Sequence, residues 1–328
     1  MSTIYTTGKK IDHYQIMCPL GQGGASHVYL AQDWYALQEV VLKFPYDALI
    51  GGAAVFERYK REAEIGRRLN HQYIQRHLNQ DEQRSAEYLV LEYMRGRTLR
   101  MVVEKGAPAI LPTGEVLRML IQVCRALAYA HEHGVIHRDI KPENIMLLEN
   151  GEIKIFDFGI ALLEGERNRS WRGFSSPIGT PDYMAPERLL GESGDVRSDI
   201  YAVGMVLYEQ LCGRTPFEEE DGFALITQHI SHDPPCILQF NPILSPALVT
   251  VVMRAIRRDP EKRYTCIQDL LYDLQHLDNV TVVDYIADPP RIGGRYRQAI
   301  RIALIALIVC LCIVAFGVLA QYAHHHIR

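Results

Sequence analysis

A run of 21 consecutive residues without a charged side chain, residues 302–322, places the strongest constraint on what this chain can fold into. As an α-helix rising about 1.5 Å per residue, it would extend about 31 Å, which matches the thickness of a bilayer core. A buried helix of a globular protein is the alternative, but such helices are usually shorter and keep a polar stripe. The sequence therefore predicts one transmembrane helix after a soluble body.

The charges that flank this segment predict its orientation. Four basic residues precede it without an acidic residue among them: Arg291, Arg295, Arg297 and Arg301. The positive-inside rule then places the N-terminal body in the cytoplasm of a single-pass protein of the cell membrane, and the arginines can attract anionic lipid. Only residues 323–328 follow the segment, so we expect a short extracytoplasmic tail. We also expect control from the cytoplasm, the lipid, a partner or local concentration in the membrane.

Charge separates the chain into two unlike parts. The 328 residues include 35 Lys and Arg against 39 Asp and Glu. Residues 291–328 hold five of the basic residues and no acidic one, so residues 1–290 carry a net charge of -9. An acidic body disfavours nucleic acid as a partner. Seven widely spaced cysteines and a polar N-terminus without an apolar signal segment are typical of a reducing, cytosolic compartment.

Hydrophobic patterning divides the body further. Strands are expected at residues 14–20, 27–32, 39–44 and 88–93, and Asn150-Gly151 indicates a hairpin. Helices are expected at residues 56–69, 199–212, 247–257 and 265–277, with a long helix that Thr113 caps and that stops at Gly134. The expected organisation is an extension at 1–10, an α+β body at 11–278, a linker at 279–301 rich in Pro and Gly, and the span.

Groups suited to phosphate chemistry recur along the body in a fixed order. A glycine-rich turn between two strands, residues 21–28, can bring backbone N–H groups close to phosphates. Lys43 ends an apolar strand and needs an anionic partner. His137-Arg138-Asp139-Ile140-Lys141-Pro142-Glu143-Asn144 then places an acid, a lysine and an amide within six residues. Asp157-Phe158-Gly159, Ala185-Pro186-Glu187, Asp199 and Arg263 follow.

This order and spacing resemble the eukaryotic-type (Hanks-type) serine/threonine protein kinase family, over about 260 residues. Lys141-Pro142-Glu143 resembles the serine/threonine branch, and the single C-terminal span resembles its membrane-attached bacterial members. The resemblance implies a bilobal α+β fold, with a β-rich N-lobe at residues 11–94 and a helical C-lobe at residues 95–278. It also implies ATP as the phosphate donor, magnesium or manganese as the metal, and protein substrates.

The resemblance assigns roles to individual residues. Asp139 would orient the substrate hydroxyl and accept its proton, and Lys141 would steady the transferring phosphate. Asn144 and Asp157 would hold the metal, and Lys43 would contact phosphate and pair with Glu62. Glu62 and Glu64 face different sides of the helix, and Glu62 has the family spacing. The nucleotide pocket would be formed by Leu20, Gly21, Gly23, Ser26, Val28, Val41, Leu91, Glu92, Met94 and Met146, with Leu91 as gatekeeper.

Further residues would support the site and regulate it. Glu187 and Arg263 resemble a buried ion pair, and Asp199 resembles the acid that braces the loop containing Asp139. The expected activation loop, residues 160–177, contains Ser170, Ser175 and Ser176, and Thr180 follows it. Arg138 could bind a phosphate on this loop and order it. The alternative is a polar loop whose serines are not modified.

Two positions depart from the family pattern. Ser26 replaces a glycine of the glycine-rich turn, which predicts altered nucleotide contact without its loss. Gly66 stands four residues after Glu62, where the family usually places an apolar side chain that stacks on Phe158. A glycine inside a helix also costs about 1 kcal/mol relative to alanine. The sequence thus predicts that the active position of this helix is weakly held and gains from a partner, which leaves homodimerisation open.

Three other functions compete with an active protein kinase. A pseudokinase scaffold usually lacks Lys43, Asp139 or Asp157, and all three are present here. A small-molecule kinase of related fold would lack the Ala185-Pro186-Glu187 segment. A passive membrane-tethered interaction protein would not need the catalytic set. Active protein phosphorylation is therefore the function that the sequence favours.

Overall fold

A computed structural model describes residues 5–22, 26–46, 48–104, 111–163, 181–219 and 221–288. Several predicted features lie outside these residues: Gly23, Ser170, Ser175, Ser176, Thr180 and the uncharged segment 302–322. Within the described ranges, no helix combines the length and the apolar character needed to cross a bilayer. Residues up to Ala287 belong to one compact unit, to which the following paragraphs refer.

The N-terminal part forms an antiparallel six-stranded sheet in the order β1-β2-β3-β4-β6-β5. Its strands are β1 (Lys10–Ile11), β2 (Tyr14–Gln22), β3 (Ser26–Asp33), β4 (Gln38–Pro45), β5 (His77–Leu78) and β6 (Leu89–Glu92). One helix, α1 (Ala48–Arg68), accompanies the sheet. The predicted strands and helix of this lobe are confirmed, with α1 beginning eight residues earlier than the sequence indicates.

Alternation along β4 gives the sheet two apolar faces. Val40, Leu42 and Phe44 are buried in one cluster with residues of β1, β2 and β3. Val41 points to the other side, where it packs with Leu91 and lies in a cluster that includes side chains of α1. This is the period-2 pattern of a strand buried on both faces. Lys43, two residues after Val41, lies on this second face and points toward α1.

The C-terminal part is mainly helical. Its helices are α2 (Leu99–Glu104), α3 (Thr113–Glu132), α4 (Pro186–Leu189), α5 (Val196–Cys212), α6 (Gly222–Ser231), α7 (Pro246–Ala255) and α8 (Ile267–Gln275). Every residue of α5 from Ser198 to Leu211 is buried, so α5 is the axis on which the lobe packs. The buried acidic side chains of α5, Asp199 and Glu209, both accept hydrogen bonds from other parts of the protein.

Short strands complete the C-lobe and carry the site. They are β7 (Gly96–Thr98), β8 (Val135–Ile136), β9 (Ile145–Leu148), β10 (Ile153–Ile155) and β11 (Leu162–Leu163). The predicted Asn150-Gly151 hairpin joins β9 to β10, with Gly151 at φ 81° in the region that glycine adopts without strain. The N–H of Ile155 donates to the carbonyl of Tyr73, which ties β10 to the segment after α1 and so joins the two lobes.

The capping prediction for α3 was wrong. Pro112 occupies the N-cap position, Thr113 is the first helical residue, and no side chain caps the helix. Helices α2 and α6 were not predicted, although Asp221 caps α6 by accepting from the N–H groups of Phe223 and Ala224. An acidic N-cap before an apolar segment was therefore the signal available for α6. The expected bilobal α+β architecture is confirmed.

Candidate active site

Lys43, Glu62 and Asp157 meet where the two lobes join. The Nζ of Lys43 lies 2.7 and 2.8 Å from the two carboxylate oxygens of Glu62, and 3.0 Å from Oδ1 of Asp157. Glu62 is buried on α1, whereas Glu64 is exposed and pairs with Arg68 at 2.7 Å. The lysine thus connects β4, α1 and the segment after β10 through charge-assisted hydrogen bonds.

The charges of this triad are set by burial and by one another. Desolvation disfavours the ammonium form of Lys43, but the carboxylates of Asp157 and Glu62 outweigh it and raise the pKa of Lys43 above its ordinary value. In return, the positive charge of Lys43 lowers the pKa of Asp157 to about 2. Asp157 is therefore ionised at neutral pH, with Lys43 beside it as a cation.

Asp139 lies at the centre of a second group of polar side chains. The Nζ of Lys141 donates to its carboxylate oxygens at 3.0 and 2.8 Å. The amide nitrogen of Asn144 donates to its Oδ2 and to its backbone carbonyl, each at 2.8 Å. Asn144 is buried in a short 3₁₀ turn before β9, so it holds the loop that carries Asp139. The carboxylate is oriented by two donors from its own loop.

Two residues of the site have strained backbones. Arg138 has φ 69° and Asp157 has φ 66°, which non-glycine residues rarely adopt. Such strain costs about 1–3 kcal/mol per residue and persists only where the surroundings hold it in place. The buried Asp199 does so for Arg138, because its carboxylate accepts from the N–H groups of His137 at 2.9 Å and Arg138 at 2.7 Å.

The nucleotide-binding residues named from the sequence fall in several places. Val28, Val41 and Leu91 share one small apolar cluster of the N-lobe, and Met94 is buried just beyond β6. Met146 lies on β9, in the C-lobe. Leu20 and Gly21 are exposed on β2, and Ser26 is buried at the start of β3. The arrangement places apolar side chains from both lobes on either side of residues 92–94, the hinge between the lobes.

The hinge itself is held by charged and amide side chains from both lobes. Lys154 of β10 donates to the two carboxylate oxygens of Glu92 at 3.0 and 2.8 Å. The side-chain amide of Gln75 donates to the carbonyl of Glu92 at 2.9 Å. A cavity of about 390 Å³ is lined by Glu92, Tyr93 and Met94 together with the β9–β10 turn. Neither Gln75 nor Lys154 stood out in the sequence.

Asn144 and Asp157 are chemically suited to a magnesium ion. Carboxylate and amide oxygens are the hard donors that this ion prefers, and it commonly binds to one or two protein groups plus substrate phosphates. Lys43 keeps Asp157 ionised, and Asn144 uses its amide nitrogen for Asp139, which leaves its carbonyl oxygen for another partner. The residues present therefore fit the metal that the sequence implies.

A further charged network was missed by sequence reasoning. The guanidinium of Arg100 on α2 donates to Glu143 at 2.9 Å, to Glu209 of α5 at 2.8 Å and to the hydroxyl of Tyr183 at 2.6 Å. Tyr183 in turn donates to Glu209 at 2.6 Å. Because Glu143 follows Asp139 by four residues, this network connects the loop that carries Asp139 to α2 and α5. No local pattern marks Arg100, since its partners are distant in sequence.

Comparison with known proteins defines the class to which this fold and site belong. The family model for the protein kinase domain matches residues 14–273. A probable serine/threonine-protein kinase of Streptomyces coelicolor is 35% identical over 266 residues, which cover 80% of this chain and 39% of that protein. The serine/threonine-protein kinase PknB of Mycobacterium tuberculosis is 33% identical over 299 residues, covering 90% of this chain and 46% of that protein.

Solved structures agree with these relatives. The crystal structure of the kinase domain of Mycobacterium tuberculosis PknI superposes with a TM-score of 0.64 at 26% identity. The match covers 83% of this chain and 99% of that domain. This chain belongs to the serine/threonine protein kinase family, and it spans less than half the length of the curated relatives described above.

Proposed function

We propose that the chain is an active serine/threonine protein kinase that transfers the γ-phosphate of ATP to hydroxyl groups of protein substrates. The observation that carries the proposal is the intact Lys43–Glu62–Asp157 triad beside the oriented carboxylate of Asp139. Phosphoryl transfer depends mainly on positioning and on neutralising charge, and these two groups supply both. A scaffold without activity would not need these four charged side chains, which are buried or half-buried, to be held in fixed positions.

Each residue contributes a defined part of the reaction. Asp139 is aligned by Lys141 and Asn144 to accept the proton of a substrate hydroxyl. Lys43, fixed between Glu62 and Asp157, presents a cation to the phosphates of ATP. Asn144 and Asp157 would hold a magnesium ion, which would supply positive charge to offset the charge of the phosphates. Water-shielded charges act strongly on one another, so small displacements of these groups reduce the rate.

Transfer of labelled phosphate from ATP to a generic protein substrate tests the proposal. Wild-type protein should label serine and threonine residues in the presence of magnesium, and Asp139→Asn should lower the rate by at least 100-fold. Asp139→Asn keeps the size of the side chain and its carbonyl acceptor, so it tests the proton acceptor without removing bulk. Equal labelling by the two proteins would disprove the enzyme assignment.

We also propose that the kinase phosphorylates its own activation loop. Arg138 lies near other cations, because the side chain of Arg188 donates to its backbone carbonyl. Burial and the positive charges of Arg188 and Arg61 lower the pKa of Arg138 to about 9. A phosphate of about two negative charges would relieve this repulsion and order the loop. Mass spectrometry after incubation with ATP and magnesium should find phosphate on Ser170, Ser175 or Ser176, and none in Asp139→Asn.

For location, we propose that residues 302–322 anchor the kinase in the cell membrane with its catalytic domain in the cytoplasm. The support is the length of the uncharged segment and the four arginines that precede it. In a cell fractionation, the full chain should stay with the membrane through an alkaline carbonate wash, and a chain ending at residue 290 should be released. Release of the full chain by the same wash would contradict the anchor.

A further inference from the structure

The missing side chain of Gly66 is replaced in space by a side chain from another element. A Cβ atom built on Gly66 would lie 2.2 Å from both Cγ and Nδ1 of His77. The optimal separation of two non-bonded carbon atoms is about 3.5–4.0 Å, so a Cβ atom at this position would overlap the imidazole ring. The imidazole of His77 therefore fills the volume that a side chain at position 66 would occupy, and α1 approaches β5 closely because residue 66 is glycine.

Other contacts fix this approach. His77 pairs with Leu91 in the register between β5 and β6, so its backbone is held by the sheet. The side-chain amide of Gln80 donates to the carbonyl of Gly66 at 3.0 Å and to the carbonyl of His77 at 3.1 Å. One side chain thus bridges the helix and the strand at the point of contact. The contact between His77 and Gly66 is therefore held in place by the strand pairing and by the hydrogen bonds of Gln80.

We propose that His77 is a positioning residue for phosphoryl transfer, which holds α1 where Glu62 can pair with Lys43. Residues 62 and 66 are four apart and lie on the same face of α1, so whatever fixes Gly66 also fixes Glu62. The bulk that holds the helix comes from β5 instead of from α1 itself. This inference rests on the proposed kinase activity, and it replaces the expectation that Gly66 leaves the helix weakly held.

The electrostatics of His77 agree with a packing role. Burial and the nearby positive charges of Lys43 and Arg84 lower the pKa of its imidazole to about 4. The ring is therefore neutral at physiological pH and can pack against the backbone of Gly66 without a charge to solvate. A neutral ring also adds no repulsion to the ammonium group of Lys43.

Steady-state kinetics of four variants test the proposal. His77→Ala leaves no side chain larger than a methyl group at either position, so kcat should fall about tenfold, with the KM for the protein substrate unchanged. Gly66→Leu should also lose activity, because its side chain meets the imidazole. The combined variant, Gly66→Leu with His77→Ala, moves the bulk from strand to helix and should recover most of the loss. His77→Leu keeps bulk at the original position and should stay within threefold of wild type.

Chemical rescue separates positioning from general damage to the fold. Added imidazole fits the void in His77→Ala and should restore part of kcat. The control is His276→Ala, which removes an exposed histidine on the C-lobe. Its kcat should equal that of wild type and should not change when imidazole is added. Wild-type kcat in His77→Ala, or a double variant no better than the poorer single variant, would overturn the proposal.

A readout that needs no activity keeps the proposal separate from the proposed function. The free energies of unfolding of wild type, the two single variants and the double variant form a double-mutant cycle. We expect the loss in the double variant to be smaller than the sum of the two single losses. Additive losses would overturn the packing contact even if the protein proved to be inactive, whereas an inactive wild type with strong coupling would overturn only the kinase assignment.

Discussion

Arg263 and Glu187, 76 residues apart in the chain, form a buried ion pair through two parallel hydrogen bonds. The Nη1 and Nη2 atoms of Arg263 lie 2.9 and 2.8 Å from the two carboxylate oxygens of Glu187. Ser198 of α5 donates to the same carboxylate at 2.7 Å. The pair joins α4, α5 and the segment before α8, and so fixes this part of the C-lobe.

Loss of Arg263 should destabilise the protein strongly. In Arg263→Ala, Glu187 keeps its charge in a buried site without a cation, and breaking such a pair costs about 3–5 kcal/mol. Urea denaturation should show this loss. Arg68→Ala, which removes an exposed pair with Glu64, should cost less than about 1 kcal/mol. Similar losses in the two variants would show that burial does not govern the Arg263 pair.

Asp199→Asn should weaken both stability and activity. An amide cannot accept from both backbone N–H groups and from His131, which lies 2.9 Å from Oδ2, so at least one charge-assisted hydrogen bond is lost. We expect a loss of about 2 kcal/mol in the free energy of unfolding. Because the strained backbone of Arg138 loses its support, kcat should fall at least tenfold.

Thermal unfolding and initial rates measured on the same Asp199→Asn preparation check both effects. Rates are taken at a temperature at which the variant is fully folded, so that a lower kcat reports on the loop and not on the unfolded fraction. A variant that is destabilised but keeps the wild-type kcat would show that Asp199 does not position the catalytic loop.

His77 should make stability depend on pH in a predictable direction. Its pKa is about 4 in the folded protein and about 6.5 when unfolded, so the unfolded state binds more protons between these values. Stability contributed by the neutral ring is therefore complete above pH 6.5 and is lost as the pH falls toward 4. Compared with His77→Leu, wild type should lose more stability over this window, as urea titrations at several pH values would show. Parallel pH profiles would contradict the burial of the neutral imidazole.

Arg100→Ala should uncouple the catalytic loop from α2 and α5. The substitution removes hydrogen bonds to two carboxylates and a phenol, and Glu209 remains buried. Since Arg100 is about a quarter exposed, we expect a moderate loss of about 2 kcal/mol. The exposed Arg214–Glu218 pair offers a control, and Arg214→Ala should cost less than about 1 kcal/mol. Equal denaturation midpoints for the two variants would refute the role of the network.

The sequence alone determined which chemical groups the protein has and in which order. Local spacing was enough for the strands around Lys43 and the hairpin at Asn150-Gly151, because each depends on residues near one another in the chain. The roles in the series from Asp139 to Arg263 came from its resemblance to a known family. Helix α6 was not predicted although its N-cap, Asp221, is a local signal, and the N-cap of α3 was placed one residue too late, at Thr113 instead of Pro112.

Only the tertiary structure decided how these groups act on one another. Lys43 is 19 residues from Glu62 and 114 residues from Asp157 in the chain, yet its ammonium group donates hydrogen bonds to both carboxylates. The pKa values of these groups depend on the burial that folding creates. The contact of His77 with Gly66 is visible only in the folded protein, and the proposal that His77 holds α1 rests on it. Sequence order specifies the side chains, but their separation, solvation and pKa arise from packing, which no local pattern encodes.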